Sequence, residues 1–569
     1  MPHSVSRETL FDEASQLVLQ WAKLALPHYG EQGSLDLDLL AFPNAQGPSY
    51  YNQFAHWPLL LLATGQLPGA TDEERTAFQT AALGNIEYML GITNAEFLTP
   101  HYSRGRDWGL HVGEWSNFFL LQSLKILEAH KLGTEGLRKR LTQSVRGATT
   151  RIFDAYSKSF GDQSRTPTAF PSNHAVWHAL LCHEAGKHFD EPAWREFAKD
   201  FMQRHVLPFQ SANGCWEEGG GIVVNYAMVT AQAVSIYAED ANDQQALDAI
   251  RRFQSFMTFF ALPDGASAVA ADCRMHHSAQ PMIFLPPTFL RNPQGRADCL
   301  ARIRGFASAL DADTIQTRGA HALAFFTLFP DFLSRHATSQ SDTAPLPVSD
   351  IPAARLEAGA WTAFLSWQLN PEHRSRFLLD AQNFVELHHS RAGYLVGGGN
   401  SKYAPRFSTI RQCNGGRAYI PDNAAPVKTP QGNGVEYLFG AARIRIMLEV
   451  EPTETRIAFE LVAGADDNAR FECAIMLDLN QGDTVTADEK QHEVTPTGAL
   501  ELTFNAAEPT FLWRGIRFHP PTGAFLSYPV IPHNPYRQDG LAETSQYMGR
   551  LALVLSAASP RATIRIAEA

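Results

Sequence analysis

Residues 222–239 read IVVNYAMVTAQAVSIYAE, apolar nearly all the way round a helix, whereas residues 191–205, EPAWREFAKDFMQRH, carry charge along one face. A helix apolar on every side has to be buried, and one with a charged face looks at water. The contrast recurs upstream, where 114–131 is rich in Phe and Leu and 134–158 is studded with Lys and Arg. Apolar residues repeat at three and four spacings near 6–26, 50–65, 73–92, 114–131, 134–158, 171–186, 191–205, 222–239, 243–259, 296–309 and 318–328. Inner helices alternating with outer ones, joined as antiparallel hairpins, are what an (α/α) toroid requires. Residues 1–330 are therefore expected to form such a toroid, an incomplete barrel around a central cleft.

Beyond it the periodicity changes. Residues 331–353 are polar and proline-containing, with no repeat, and read as a linker. From 354 to 569 come short runs such as ARIRIMLEVEP, TRIAFELVAG, FECAIMLDL and RLALVLS, with period-two alternation and Gly, Asn, Asp and Pro between them. Many strands with short connections predict an antiparallel β-sandwich. The fold class is α+β multidomain, a helical toroid followed by a sandwich.

The bulk composition excludes several classes. Fifty-nine acidic against 47 basic residues leave a net charge of -12, which argues against a nucleic-acid partner, since phosphates need a basic footprint. A local basic cleft for an acidic sugar is still compatible with that balance. The start, MPHSVSRETLFDEASQLVLQWAKLAL, has acidic residues where a secretion signal needs a basic region and an apolar run, and no stretch is long enough to span a membrane. Six cysteines are scattered without CxxC pairs, as suits reduced thiols. The expected setting is the cytoplasm, with no membrane partner; the sequence does not speak to oligomeric state.

The chemistry-bearing residues cluster at helix starts. In FPSNHAVWHALLCHEAGK (170–187), Ser172 is the expected N-cap, so Asn173 and His174 fall in the first turn, where exposed amide donors favour a negative ligand. The pair is either ordinary capping and packing against Trp177 or part of a site. In GCWEEGGGIVVNYAMVTAQA (214–233), Tyr226 opens the apolar helix. It is either a core residue with its hydroxyl satisfied or a group facing the cleft. A third block, TPHYSRGRDWGLHVGEWSNFF (99–119), places His101, Arg104, Arg106, His111 and Trp115 before or within an inner helix. Arg and aromatic groups suit a carboxylate and a sugar face, though a packed loop with Arg–Asp pairs has the same composition. His101, Asp107, His111 and Glu114 are metal-ligand types at unspecific spacing, as are the residues of DCRMHH (272–277), and GGGN (397–400) reads as a turn.

Together these features resemble the toroid-plus-sandwich polysaccharide lyases, the superfamily of alginate lyases, oligoalginate lyases and heparinase II/III-type enzymes. That superfamily carries an Asn-His pair with an aromatic shortly after it and a Tyr on a later helix; the matching positions are Asn173, His174, Trp177 and Tyr226, with WEEGGG (216–221) resembling the approach to the Tyr helix. The resemblance implies β-elimination at a uronic acid. Asn173 and His174 neutralise the carboxylate, and Tyr226, with His174, serves as base and acid. It implies Trp177, Trp216 and Glu218 as sugar contacts beside the 101–115 block, and no metal or cofactor. The family often has a second His in its sheet domain within an H-x-H-like stretch; FVELHHSRAGYLVGGGNSK (384–402) offers His388 and His389 without that pattern. The expected substrate is a uronic-acid-containing oligosaccharide or polysaccharide. Two alternatives stand beside this one. A toroid glycoside hydrolase acting on glucuronides would draw its two carboxylates from Glu217, Glu218, Asp107 and Glu114. A non-catalytic carbohydrate-binding protein would need neither.

Overall fold

A computed structural model describes residues 5–35, 51–103, 106–162, 167, 169–274, 280–281, 284–308, 343–369, 377, 382–398, 405–413, 420–429, 432–464, 469–495, 497–534 and 539–569. The chain divides into two compact units. One comprises Met1–Glu218, Asn225–Thr258 and Pro281–Ser349, and the other Gly219–Val224, Phe259–Gln280 and Asp350–Ala569.

The first unit is built from α1 (Arg7–Ala25), α2 (Asn52–Ala63), α3 (Asp72–Ile92), α4 (Glu114–His130), α5 (Glu135–Phe160), α6 (Asn173–His188), α7 (Pro192–Phe201), α8 (Val224–Ala241, entering from the other unit at its first residue), α9 (Gln244–Phe260) and α10 (Pro293–Ser308). The expected helix at 318–328 and the first part of the expected linker lie outside the described residues. Residues 343–349, which form no helix or strand, are nonetheless pinned to this unit: Thr343, Leu346 and Ser349 donate their N–H groups to Arg291, Arg251 and Ala212 carbonyls.

Every second helix packs on the next. Ser116 of α4 donates to Gln53 of α2 at 3.2 Å, and His56 meets Ser123 at 2.8 Å further along the same pair. Between α4 and α6, Phe118 meets Trp177 with ring centroids 5.3 Å apart, and Lys125 pairs with Glu184 at 2.6 Å. Between α6 and α8, the Trp177 indole donates to the Val229 carbonyl at 3.0 Å, and His183 reaches Asp240 at 2.7 Å. In each pair early residues meet early residues and late meet late, so α2, α4, α6 and α8 run parallel. That is the geometry produced when an outer helix returns the chain after each inner one. The outer helices pair among themselves, with Arg140 of α5 on Glu87 of α3 and Phe153 of α5 against Phe197 of α7. The sequence contrast is thereby explained: α4 buries nearly every residue, while α5 buries a single stripe beginning Leu137, Leu141 and Val145. Parallel inner helices also gather their amino-terminal ends on one side, where the positive ends of their dipoles add.

The second unit holds two nine-stranded sheets. One runs Asn423–Thr429, Gly432–Phe439, Ala442–Val450, Glu454–Ala463, Arg561–Glu568, Ile516–His519, Phe511–Trp513, Thr484–Ala487, Lys490–Glu493. The other runs Leu500–Phe504, Ala524–Val530, Met548–Ser556, Arg470–Leu477, Gly393–Val396, Val385–His389, Trp361–Ser366, Ala353–Ala358, with Ile410–Gln412 beside Arg470–Leu477. All the pairings described are antiparallel, and inward residues of both sheets, among them Ile446, Phe459, Ile564, Leu387, Leu551 and Ile475, form one buried cluster. This is the expected α+β arrangement of helical toroid and antiparallel sandwich.

Candidate active site

At the end where the helix starts gather, α6 begins as its sequence requires. Ser172 is the N-cap and its hydroxyl accepts the Ala175 N–H at 3.3 Å. Asn173, the first helical residue, is 1% exposed, and neither its amide nitrogen nor its amide oxygen has a hydrogen-bond partner among the described residues. Burying both ends of a primary amide without partners costs on the order of 1–3 kcal/mol for each group. Such a group is retained where something outside the protein, solvent or ligand, completes it.

His174, the next residue, is the opposite case. Its ring is 51% exposed, yet its Nδ1 is hydrogen-bonded to the Glu114 carboxylate at the first position of α4. A carboxylate only accepts, so Nδ1 carries the proton, and in the neutral ring the lone pair is on Nε2. The Glu114 side chain is 10% exposed. Burial pushes its carboxyl up, but the His174 and His178 imidazoles outweigh that and hold it down to about 2, so it is anionic throughout the neutral range.

His178 lies one turn beyond His174 on the same helix face and 3.7 Å from the other Glu114 oxygen. Its Nε2 donates to the Val112 carbonyl at 3.1 Å, so Nδ1 is the acceptor for the Tyr156 hydroxyl at 2.8 Å. Burial pushes the His178 imidazole down, and burial followed by the Glu114 charge pushes the Tyr156 phenol up to about 12. Tyr156 thus keeps its proton and acts as a donor that locks His178. Trp115 covers the dyad, its ring centroid 5.5 Å from that of His174.

The hairpin Thr99–Ser103 with Arg106–His111 precedes α4. His101 sits within electrostatic reach of Glu114, His111 and His174; burial drives it down to about 4, so it is neutral. Its ring meets that of His111 at 5.4 Å, and His111 is exposed, with Nε2 on the Trp108 carbonyl at 2.8 Å. Arg104 lies outside the described residues, and of Arg106 only the backbone is described.

Tyr226 is the third residue of α8, half-buried. The Trp177–Val229 hydrogen bond joins the fifth residue of α6 to the sixth of α8, three positions beyond His174 and Tyr226 respectively. The starts that carry Asn173, His174 and Tyr226 are therefore side by side, and Glu114 at the start of α4 completes the row.

Several expected contacts take other roles. Trp177 is fully buried and its indole is spent on Val229, so it offers no face to a sugar. Trp216, expected to stack on substrate, is 1% exposed, donates to the Val206 carbonyl at 3.0 Å and packs against Phe253. Both corrections share a cause: a large aromatic next to a helix start is more valuable as core filling than as a platform. Glu218 is half-buried with one carboxylate oxygen buried and without a hydrogen-bond partner among the described residues, while Glu217 accepts from Ser211 at 3.1 Å. His388 and His389 are both buried in the sandwich unit, adjacent in one strand and so directed to opposite faces. His388 meets Asp264 at 3.2 Å, and His389 meets Glu568 at 2.9 Å beside Trp361. The sequence named Glu114 only for the metal and hydrolase alternatives, not as the partner of His174, and His178 and Tyr156 were not among the expected site residues; the His174/His178 spacing of four was the available signal, since it places both rings on one helix face.

Among the described residues one cluster has the donors and spacing for a metal, His183, Glu184 and Asp240. Its carboxylates are already matched by Lys125 on Glu184 and Lys187 on Asp240, which argues for an ion-pair network in place of a cation. No described helix is long and apolar enough to cross a membrane.

No family model matches the sequence, and none of the curated proteins is detectably similar to it. Solved structures are. A Paenibacillus xanthan lyase superposes with a TM-score of 0.52 at 10% identity, over 99% of this chain and 59% of that one. A chondroitin AC lyase of Streptomyces coelicolor A3 gives 0.46 at 13% identity, over 100% and 80%, and a heparinase III gives 0.44 at 12%, over 97% and 84%. On the first of these the chain has the toroid-and-sandwich fold of the xanthan lyase, and it spans 59% of that protein's length.

Proposed function

We propose that this protein is a polysaccharide or oligosaccharide lyase that breaks the glycosidic bond to a uronic acid by β-elimination. The observation that carries the reading is the Glu114–His174 dyad set beside the unpartnered buried amide of Asn173. A uronate C5 proton is weakly acidic, and its removal drives charge onto the neighbouring carboxylate, which becomes enolate-like. Asn173, with two unused hydrogen-bonding ends in the first turn of α6, meets that charge, and the gathered helix starts add their dipoles.

His174 Nε2 takes the C5 proton. Glu114 holds the ring in the Nδ1–H tautomer and stabilises the imidazolium that forms, as a carboxylate does for a histidine base in other enzymes. The electron pair of the C5–H bond becomes the C4=C5 double bond, the C4–O4 bond breaks, and Tyr226 gives its phenolic proton to O4. Where the proton and the leaving oxygen lie on the same face, Tyr226 is also the base. The products are one chain end bearing an unsaturated uronate and one new hydroxyl end.

A hydrolase reading needs a carboxylic acid held protonated near neutrality. Glu114 is held in the opposite direction by its two imidazoles, and Asp107 is exposed and occupied in accepting the Gly109 N–H at 2.7 Å. For Glu114 and Asp107 these observations favour elimination. The test is a panel of uronate polymers and oligomers (alginate, glucuronan, heparinoid and plant-gum types) read by ultraviolet absorbance of an unsaturated uronate and by product mass. Unsaturated product from at least one member is the expected result. Reducing ends released with mass gained from water, and no unsaturated product, would overturn the reading.

A further inference from the structure

The residue before the helix that carries Tyr226 is Val223, whose side chain has no atom to accept a hydrogen bond. Gly219 and Gly220 before it take positive φ angles of 68° and 93°, a conformation that stiffens nothing. The N–H of Val224, the first residue of α8, is instead accepted by Asp272 Oδ2 at 2.9 Å, and the Ile222 carbonyl accepts the Cys273 N–H at 2.7 Å. Residues 222–224 are thus clamped by the segment 272–273, all of it buried.

That segment is held in turn from the sheet. Asp272 donates its N–H to Val269 O at 2.9 Å, and Val269 donates its own to both oxygens of Glu386, at 2.8 and 3.1 Å. Two residues along the same strand and on the same face, His388 grips Asp264, whose other oxygen accepts the Ala266 N–H at 3.0 Å. Glu386 itself is 1% exposed. Its surroundings are shaped for it: at Gly397, with φ at 128°, a Cβ would come within 2.6 Å of the Tyr394 hydroxyl and 2.9 Å of Glu386 Cγ. A buried carboxyl spent on a backbone N–H is an expensive way to fix a loop, unless the placement of that loop matters.

We propose that Glu386 is a positioning residue for Tyr226, acting through the chain Glu386, Val269, Asp272 and Val224 to set where α8 begins. This rests on the lyase reading for the role of Tyr226, but the mechanical link stands apart from it. A proton donor misplaced by about 1 Å costs on the order of 10²-fold in rate, so rigid seating of the first turn has catalytic value.

Two measurements on the full chain test it: hydrogen exchange of peptides covering 219–228 and 266–274, and kcat and KM on the panel substrate that gives turnover. Glu386→Ala removes the acceptor. Glu386→Asp keeps a carboxyl but withdraws it by one methylene, and serves where the alanine variant does not fold. Glu386→Gln retains an oxygen for the Val269 N–H. With Ala or Asp, both peptides are expected to exchange roughly tenfold faster or more, with kcat reduced roughly tenfold and KM little changed, and with Gln both return toward wild type. Faster exchange confined to 266–274, or no change in either peptide, overturns the proposal, as does loss of KM with kcat retained. Faster exchange in both peptides of a protein that turns over no uronate supports the link and overturns the lyase reading instead.

Discussion

Glu114 and His174, sixty positions apart in the chain, are joined by a hydrogen bond between the first residue of α4 and the second residue of α6. The contact exists because alternate helices are neighbours and run parallel, so their starts coincide. It turns an exposed imidazole into one with a defined tautomer, and its loss can be measured.

Glu114→Gln keeps the size of the side chain and removes its charge. The amide can present N–H to Nδ1 and so favour the wrong tautomer. Turnover of a uronate substrate is expected to fall by about 10²-fold or more, with KM changed far less. The same variant should alter acid stability. Glu114 is held down to about 2 in the fold against an ordinary 4.5, so its contribution is present above 4.5 and lost as pH falls toward 2. Thermal melts over that window should be shallower in pH dependence for Glu114→Gln than for wild type, and parallel curves would count against the ion pair.

Asn173→Ala separates function from stability. Because neither end of the amide is partnered, its removal should cost little stability, within about 1 kcal/mol of wild type, while kcat falls by about 10²–10³-fold as for loss of a donor to a developing charge. A large drop in melting temperature with activity retained would return Asn173 to a packing role.

Tyr226→Phe deletes one hydroxyl from a half-buried ring. Circular dichroism and melting temperature should be close to wild type, oligosaccharide binding should persist, and turnover should fall by about 10²–10⁴-fold, the range for loss of a general acid or base. Retention of wild-type turnover would remove Tyr226 from the mechanism.

Glu386 predicts a stability change at the other end of the pH scale. Burial pushes its carboxyl up to about 8, ahead of the opposing Tyr394 hydroxyl and the Val269 and Ala270 amides, with the Asp272 charge adding to the rise. A group raised in the fold stabilises fully below its ordinary 4.5, and that stability is lost as pH climbs through 8. Wild type should therefore lose melting temperature between these limits more steeply than Glu386→Gln, which cannot ionise. Equal slopes would show that Glu386 is not held protonated.

The sequence by itself determined what depends on near neighbours. The burial contrast between 222–239 and 191–205 is a property of side chains a turn apart, and it told inner helices from outer ones. Ser172 as N-cap, the strand alternation of the second half and the placing of Asn173, His174 and Tyr226 in first turns are local in the same sense. Only the tertiary structure decided the partners. Nothing in the spacing says that Glu114 meets His174, that Trp177 and Trp216 spend their indoles on core carbonyls, or that adjacent His388 and His389 part to Asp264 and Glu568. Periodicity reports which face of an element is buried; the group found on the other side is set by how distant elements stack, and two residues with the same local pattern can end in core or cleft.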